Sequence, residues 1–143
     1  MAIITISREA GSKGHRIALR LSRDLEYPYF DKRILARVLA RNKAFRANDY
    51  LSLHNEKINS IYLDVCKSYS ELNSGPFIPT EDEKSITSWL DTEDALPLVQ
   101  AIMKRFSSDS RAVIVGRGSQ IVLHDQSDAV HIRIVTSMNT KIE

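Results

Sequence analysis

The chain has 143 residues, enough for one domain with a real core and too few for two ordinary ones. Hydrophobic residues make up 43% and charged residues 27%, both ordinary for a globular protein. The formal net charge is +2, so bulk charge predicts neither strong nucleic-acid binding nor attraction to a membrane surface.

No apolar stretch approaches the length needed to span a bilayer. The apolar N-terminus is interrupted at Ser7-Arg8-Glu9, too early for a signal peptide's apolar region. The single cysteine, Cys66, has no disulfide partner within the chain and no metal-ligand spacing around it. A reducing, cytoplasmic location is the expectation.

The predicted elements run as follows. A first strand covers 2–7. A small-residue loop with Gly11 and Gly14 leads into a helix whose apolar face is read as Ile17, Leu21 and Leu25 with Ala18 beside them. Tyr27-Pro28-Tyr29-Phe30 is a short aromatic run, and Pro28 makes it an edge strand or a strand start. Asp31 is placed to cap a second helix from Lys32 to about Phe45, with Ile34, Leu35, Val38 and Leu39 inward. A third helical segment of mixed polarity covers about 50–72, and the stretch NSGPFIPT (73–80) is a loop. Glu81-Asp82-Glu83-Lys84 reads as a solvated helix start.

From about 92 to 106, Ala95, Leu98, Val99, Ile102 and Met103 mark a buried helical face, with Pro97 in its first turns. Ala112-Val113-Ile114-Val115 is a continuous β-branched run, as in a central parallel strand covered on both faces. It ends at Gly116-Arg117-Gly118. The last strand, 130–135, alternates Val130, Ile132 and Ile134 with His131, Arg133 and Val135. Strands alternate with helices, so the class is α/β with a mainly parallel sheet.

The opening loop, ITISREAGSKGHRIA, contains the chemistry-bearing residues. A helix N-terminus presents free N–H groups and a positive dipole end. Two glycines let the backbone approach an anion, and Lys13, His15 and Arg16 add positive side chains. The sequence G-x-x-x-x-G-K-[ST] is absent, so two readings stand open here: an anion pocket, or a tight strand-to-helix turn. The Gly116-Arg117-Gly118 loop also follows a buried strand. Ligands in parallel α/β sheets sit beyond the carboxyl ends of strands, and Arg117 there could fork onto a phosphate or carboxylate. The four histidines show no metal spacing, so no metal ligand is identified.

Taken together, ITISREAGSKGHRIALRLS, YPYFDKRILARVLA, AVIVGRGSQIVL and VHIRIVTS resemble the cytidylate kinase-like group of P-loop nucleoside monophosphate kinases. In that group the opening resembles ISREFGSGGREIA and a later strand ends VIVGRG. The resemblance implies a three-layer P-loop NTPase-like fold over 1–143, with about 46–90 as the acceptor-binding helical insertion. It implies ATP as donor and a CMP-like acceptor. Gly11, Ser12, Lys13, Gly14, His15 and Arg16 fall where the family holds the donor phosphates, with Lys13 or Arg16 standing in for the Walker lysine. Asp31, Arg37, Gly116 and Arg117 fall on acceptor-side positions, Arg37 on an arginine that grips the acceptor's monophosphate.

The departures from the family are specific. The Walker lysine position holds Gly14, and His15 and Arg16 occupy the places of the Mg²⁺-binding hydroxyl. Gly118 stands where an aspartate follows Gly-Arg. Mg²⁺ is expected from the family, but its protein ligand is not identified.

The chain ends just after the strand that precedes the family's arginine-rich lid, so the expectation is a fold truncated at its C-terminus, without lid and last strand, and with little ATP-to-CMP transfer. The alternatives are a non-catalytic nucleotide- or anion-binding module and another P-loop small-molecule kinase. No membrane and no specific nucleic acid is expected as partner. A homodimer through the exposed edge strand 130–135 is expected.

Overall fold

The computed structural model describes residues 2–9, 13–41, 55–68, 78–109, 111–116, 123 and 127–136. They fall in two compact units, 1–29 with 106–143, and 30–105.

The first unit is built on a parallel sheet. β1 (Ile3–Arg8) is its organising strand. β3 (Ala112–Val115) pairs with it on one side, Ile3 opposite Ala112 through Ile6 opposite Val115. β4 (Ala129–Ile134) pairs on the other side, Ile3 opposite Ala129 through Arg8 opposite Ile134. β2 (Tyr29–Phe30) completes the order β2-β3-β1-β4, and the amide of Val113 donates to the Pro28 carbonyl at 2.8 Å. This mixed α/β pattern with an all-parallel sheet agrees with the three-layer P-loop-like expectation.

All four residues of β3 are buried, as their unbroken apolar run predicts for a strand covered on both faces. β2 begins directly after Pro28 and stands at one end of the strand order. β4 stands at the other end among the described strands, with Val130 and Ile132 exposed.

Helix α1 (Gly14–Leu25) corrects the sequence expectation. Its buried residues are Gly14, Ala18 and Ser22, spaced four apart along one stripe. Ile17 and Leu25, read as inward, are 49% and 42% exposed. The physical reason is distance: small side chains let a helix backbone come close to a sheet, and a stripe of large ones would hold it off.

The second unit is helical. α2 (Lys32–Arg41) buries Ile34, Leu35, Ala36, Val38 and Leu39, which contains the expected face. The Asp31 carboxylate accepts from the Ile34 amide at 3.0 Å and so caps α2. α3 (Asn55–Ser68) buries Ile61, Tyr62 and Val65. α4 (Glu81–Leu90) buries Glu83, Ile86 and Leu90, the i, i+3, i+7 spacing of a packed helical face. A 3-10 turn (Glu93–Ala95) leads into α5 (Leu96–Ser108), with Pro97 in the first turn.

Two ion pairs join α2 to α4. Lys32 meets Asp91, and Arg37 meets Glu83. Rising numbers on α2 pair with falling numbers on α4, so the two helices run antiparallel. The solvated-start reading of 81–84 holds for Glu81, Asp82 and Lys84, which are exposed, and fails for Glu83, which is buried against Arg37. The expected helical reach of α2 beyond Arg41, and of the third segment outside 55–68, lies outside the described residues.

Candidate anion site at the start of α1

Parallel pairing puts the carboxyl ends of β1, β3 and β4 at one edge of the sheet. β1 leaves that edge through the opening loop, and β3 through Gly116. The Gly116 amide donates to the Ile6 carbonyl at 3.1 Å, which ties the two exits together. Gly116 has φ +146°, a value that side-chain-bearing residues rarely adopt. That angle explains a glycine here. Gly11, Ser12 and Arg117 lie outside the described residues.

At the start of α1, Lys13 is the N-cap residue, with φ 58° and ψ 28°. Its carbonyl accepts from the amides of Arg16 and Ile17 at 3.1 and 3.3 Å, closing the first turn. The Lys13 side chain makes no cap hydrogen bond, and no acidic residue lies in the first turn. Helices commonly place a Ser, Thr, Asp or Asn oxygen there. Lys13 places no such oxygen there, and the first turn itself sets no acidic side chain against the positive end of the dipole. Lys13, Gly14, His15 and Arg16 are therefore gathered at an electropositive helix start.

The left-handed angle at Lys13 is one that glycine adopts more readily than lysine. ISREFGSGGREIA has glycine at this place, and glycine adopts φ > 0 freely, whereas lysine does so at a cost of about 1 kcal/mol. Lys13→Gly should therefore raise the free energy of unfolding by about 1 kcal/mol in urea titration. An unchanged or lower value would show that the lysine side chain offsets its backbone strain.

Of the residues expected on the acceptor side, Asp31 and Arg37 already have partners. Asp31 uses one carboxylate oxygen on the α2 cap and the other on Arg33, at 3.0 Å from Nε and Nη2. Arg37 donates from Nε and Nη2 to the two oxygens of Glu83, at 3.2 and 3.5 Å. Its side chain is 16% exposed and that of Glu83 8%. Glu83 is the residue that sequence reasoning passed over. Its signal was its place on the Ile86–Leu90 stripe, three residues after the capping Thr80.

On the sheet itself, Thr5, Ser7, His131, Ile132 and Arg133 line a shallow hollow of about 240 Å³. There Thr5 Oγ1 lies 2.6 Å from His131 Nδ1, and Arg133 meets Glu9 at 3.6 Å.

The first turn of α1 suits a phosphate. It does not suit Mg²⁺, because Gly14, His15 and Arg16 offer no side-chain oxygen. Among the described residues, no group of three His, Cys, Asp or Glu side chains could hold a metal ion, and no helix is long and apolar enough to cross a membrane.

No curated protein matches the chain significantly. The chain is similar to an uncharacterized protein from Eubacterium ventriosum ATCC 27560 of known crystal structure, at 20% identity and a TM-score of 0.47, over 99% of this chain. It spans 57% of the length of that protein. A model of the cytidylate kinase-like family matches residues 3–143. That match takes in the opening loop, the Asp31 cap, Arg37 and the Gly116 turn together, and the chain belongs to the cytidylate kinase-like family.

Proposed function

We propose that the chain binds the phosphates of ATP at the start of α1 and transfers a phosphoryl group to a nucleoside monophosphate such as CMP. The observation that carries this is the α1 N-terminus: not capped by the Lys13 side chain, free of acidic residues in its first turn, and flanked by Lys13, His15 and Arg16. Phosphoryl transfer is mostly positioning and neutralisation of charge. In this reading the backbone of residues 11–16 cradles the donor phosphates, and Lys13 and Arg16 supply the positive charge. Asp31, Arg37, Gly116 and Arg117 serve the acceptor, with Arg37 and Arg117 on its phosphate. Mg²⁺ accompanies ATP in such reactions, but the α1 turn offers it no ligand, and no step is assigned to it.

That missing oxygen ligand favours a second reading, a nucleotide-binding module without turnover. Calorimetric titration with ATP and with CMP, followed by a coupled assay for ADP and CDP, separates the two. Binding with turnover supports the kinase, and binding without turnover supports the module. Failure of both ATP and CMP to bind overturns both readings. Arg117→Ala should weaken CMP binding on the order of tenfold, the worth of one charge-assisted hydrogen bond.

The exposed β4 row supports self-association through residues 130–135, in a cytoplasmic protein. Sedimentation at rising concentration should then show dimers. A monomer throughout would refute it.

A further inference from the structure

Glu83 is a charged residue on a buried helical stripe, and both its oxygens go to one guanidinium. Its place in α4 makes this informative. Thr80 and Glu83 have the spacing of a capping box, in which the glutamate side chain reaches back to the amide of the capping residue. Half of that box is present: Thr80 Oγ1 accepts from the Glu83 amide at 3.1 Å. The carboxylate instead turns to Arg37 on α2, forty-six positions away in sequence.

Stability alone gives a weak reason for such a pair. A buried ion pair can often be exchanged for apolar side chains at no net loss, because desolvation offsets the attraction. The neighbouring stripe positions, Ile86 and Leu90 on α4, are apolar, and a leucine at 83 would extend them. A carboxylate does what leucine cannot: two-point contact fixes the plane and direction of a guanidinium.

We propose that Glu83 is a positioning residue for anion recognition: it holds the Arg37 guanidinium in the orientation that meets a phosphoryl dianion. The proposal rests on the reading of Arg37 as an acceptor-phosphate contact. The dianion adds to Arg37 without displacing Glu83, because displacement would leave a buried carboxylate unpaired. Glu83 itself does not touch the ligand.

The test is calorimetric titration of CMP into the wild-type chain and into Glu83→Gln, Glu83→Asp, Arg37→Lys and the Arg37→Lys/Glu83→Gln double variant. Urea unfolding of each checks the fold. Glu83→Gln should weaken CMP about fivefold or more, and Glu83→Asp, which keeps the charge but shortens the reach, about threefold. In the Arg37→Lys background, Glu83→Gln should cause no further loss, which a merely structural role would not produce.

If Arg37→Lys weakens CMP while both Glu83 variants bind it as well as wild type or better, the positioning role is wrong and the Arg37 reading survives. If Arg37→Lys is also without effect, or the wild-type chain does not bind CMP, the acceptor reading fails and this inference with it. Should Glu83→Gln not fold, wild-type affinity in Glu83→Asp is enough to overturn the proposal.

Discussion

Replacing Arg37 with Ala should lower the free energy of unfolding by about 3–5 kcal/mol, the cost of leaving one member of a buried ion pair behind. The orphan would be Glu83, whose side chain is 8% exposed and whose carboxylate hydrogen bonds go to Arg37. Alanine supplies no donor, and water has little access to that carboxylate. The loss should appear in urea titration as an earlier midpoint at an unchanged slope. A control separates charge from packing: Arg37→Met combined with Glu83→Leu should recover most of the loss, because both charges leave together. A loss below about 1 kcal/mol in Arg37→Ala would show that the carboxylate does not depend on this partner. Binding experiments on Arg37 therefore use lysine, which keeps a positive charge beside Glu83.

The second large effect is expected on α1. Ala18→Leu should destabilise the chain by about 2–3 kcal/mol, because three added carbons must fit where the helix lies against the sheet. Ala18 is fully buried, with Gly14 and Ser22 one turn away on either side. Ile17→Gln, one residue earlier, should change stability by no more than about 0.5 kcal/mol, since Ile17 is half exposed and glutamine is a good helix former. A ranking by hydrophobicity gives the opposite order. Equal losses in the two variants, or a larger one in Ile17→Gln, would return the buried face to Ile17, Leu21 and Leu25.

Much of the framework was legible in the sequence, for local reasons. The unbroken Ala112–Val115 run marked a strand covered on both faces, and all four residues are buried. The inward face of α2 followed from its spacing, and its cap from Asp31 standing just before Lys32. The step from β1 to α1 was visible as a composition: an apolar run, then glycines, then a helical spacing. In each case the residues that decide the structure lie within a few positions of one another, so hydrophobic period and capping chemistry are enough.

Other features were decided by contacts between distant parts of the chain. Glu83 reads as part of a solvated acidic run until α2 brings Arg37 against it, and only that meeting makes its burial affordable. α1 turns Gly14, Ala18 and Ser22 inward because the sheet rewards close approach over apolar area, which the helix's own period does not report. Lys13 takes a left-handed angle because the step from β1 into α1 demands it, against the residue's own preference. Thr5 and His131 meet because β4 pairs with β1 in one register, across 126 positions of chain. Local sequence therefore determined the strand runs, the inward face of α2 and its Asp31 cap. The tertiary structure decided which face of α1 is buried, which acid is paired and where the backbone is strained, because each depends on a partner that the neighbouring residues do not specify.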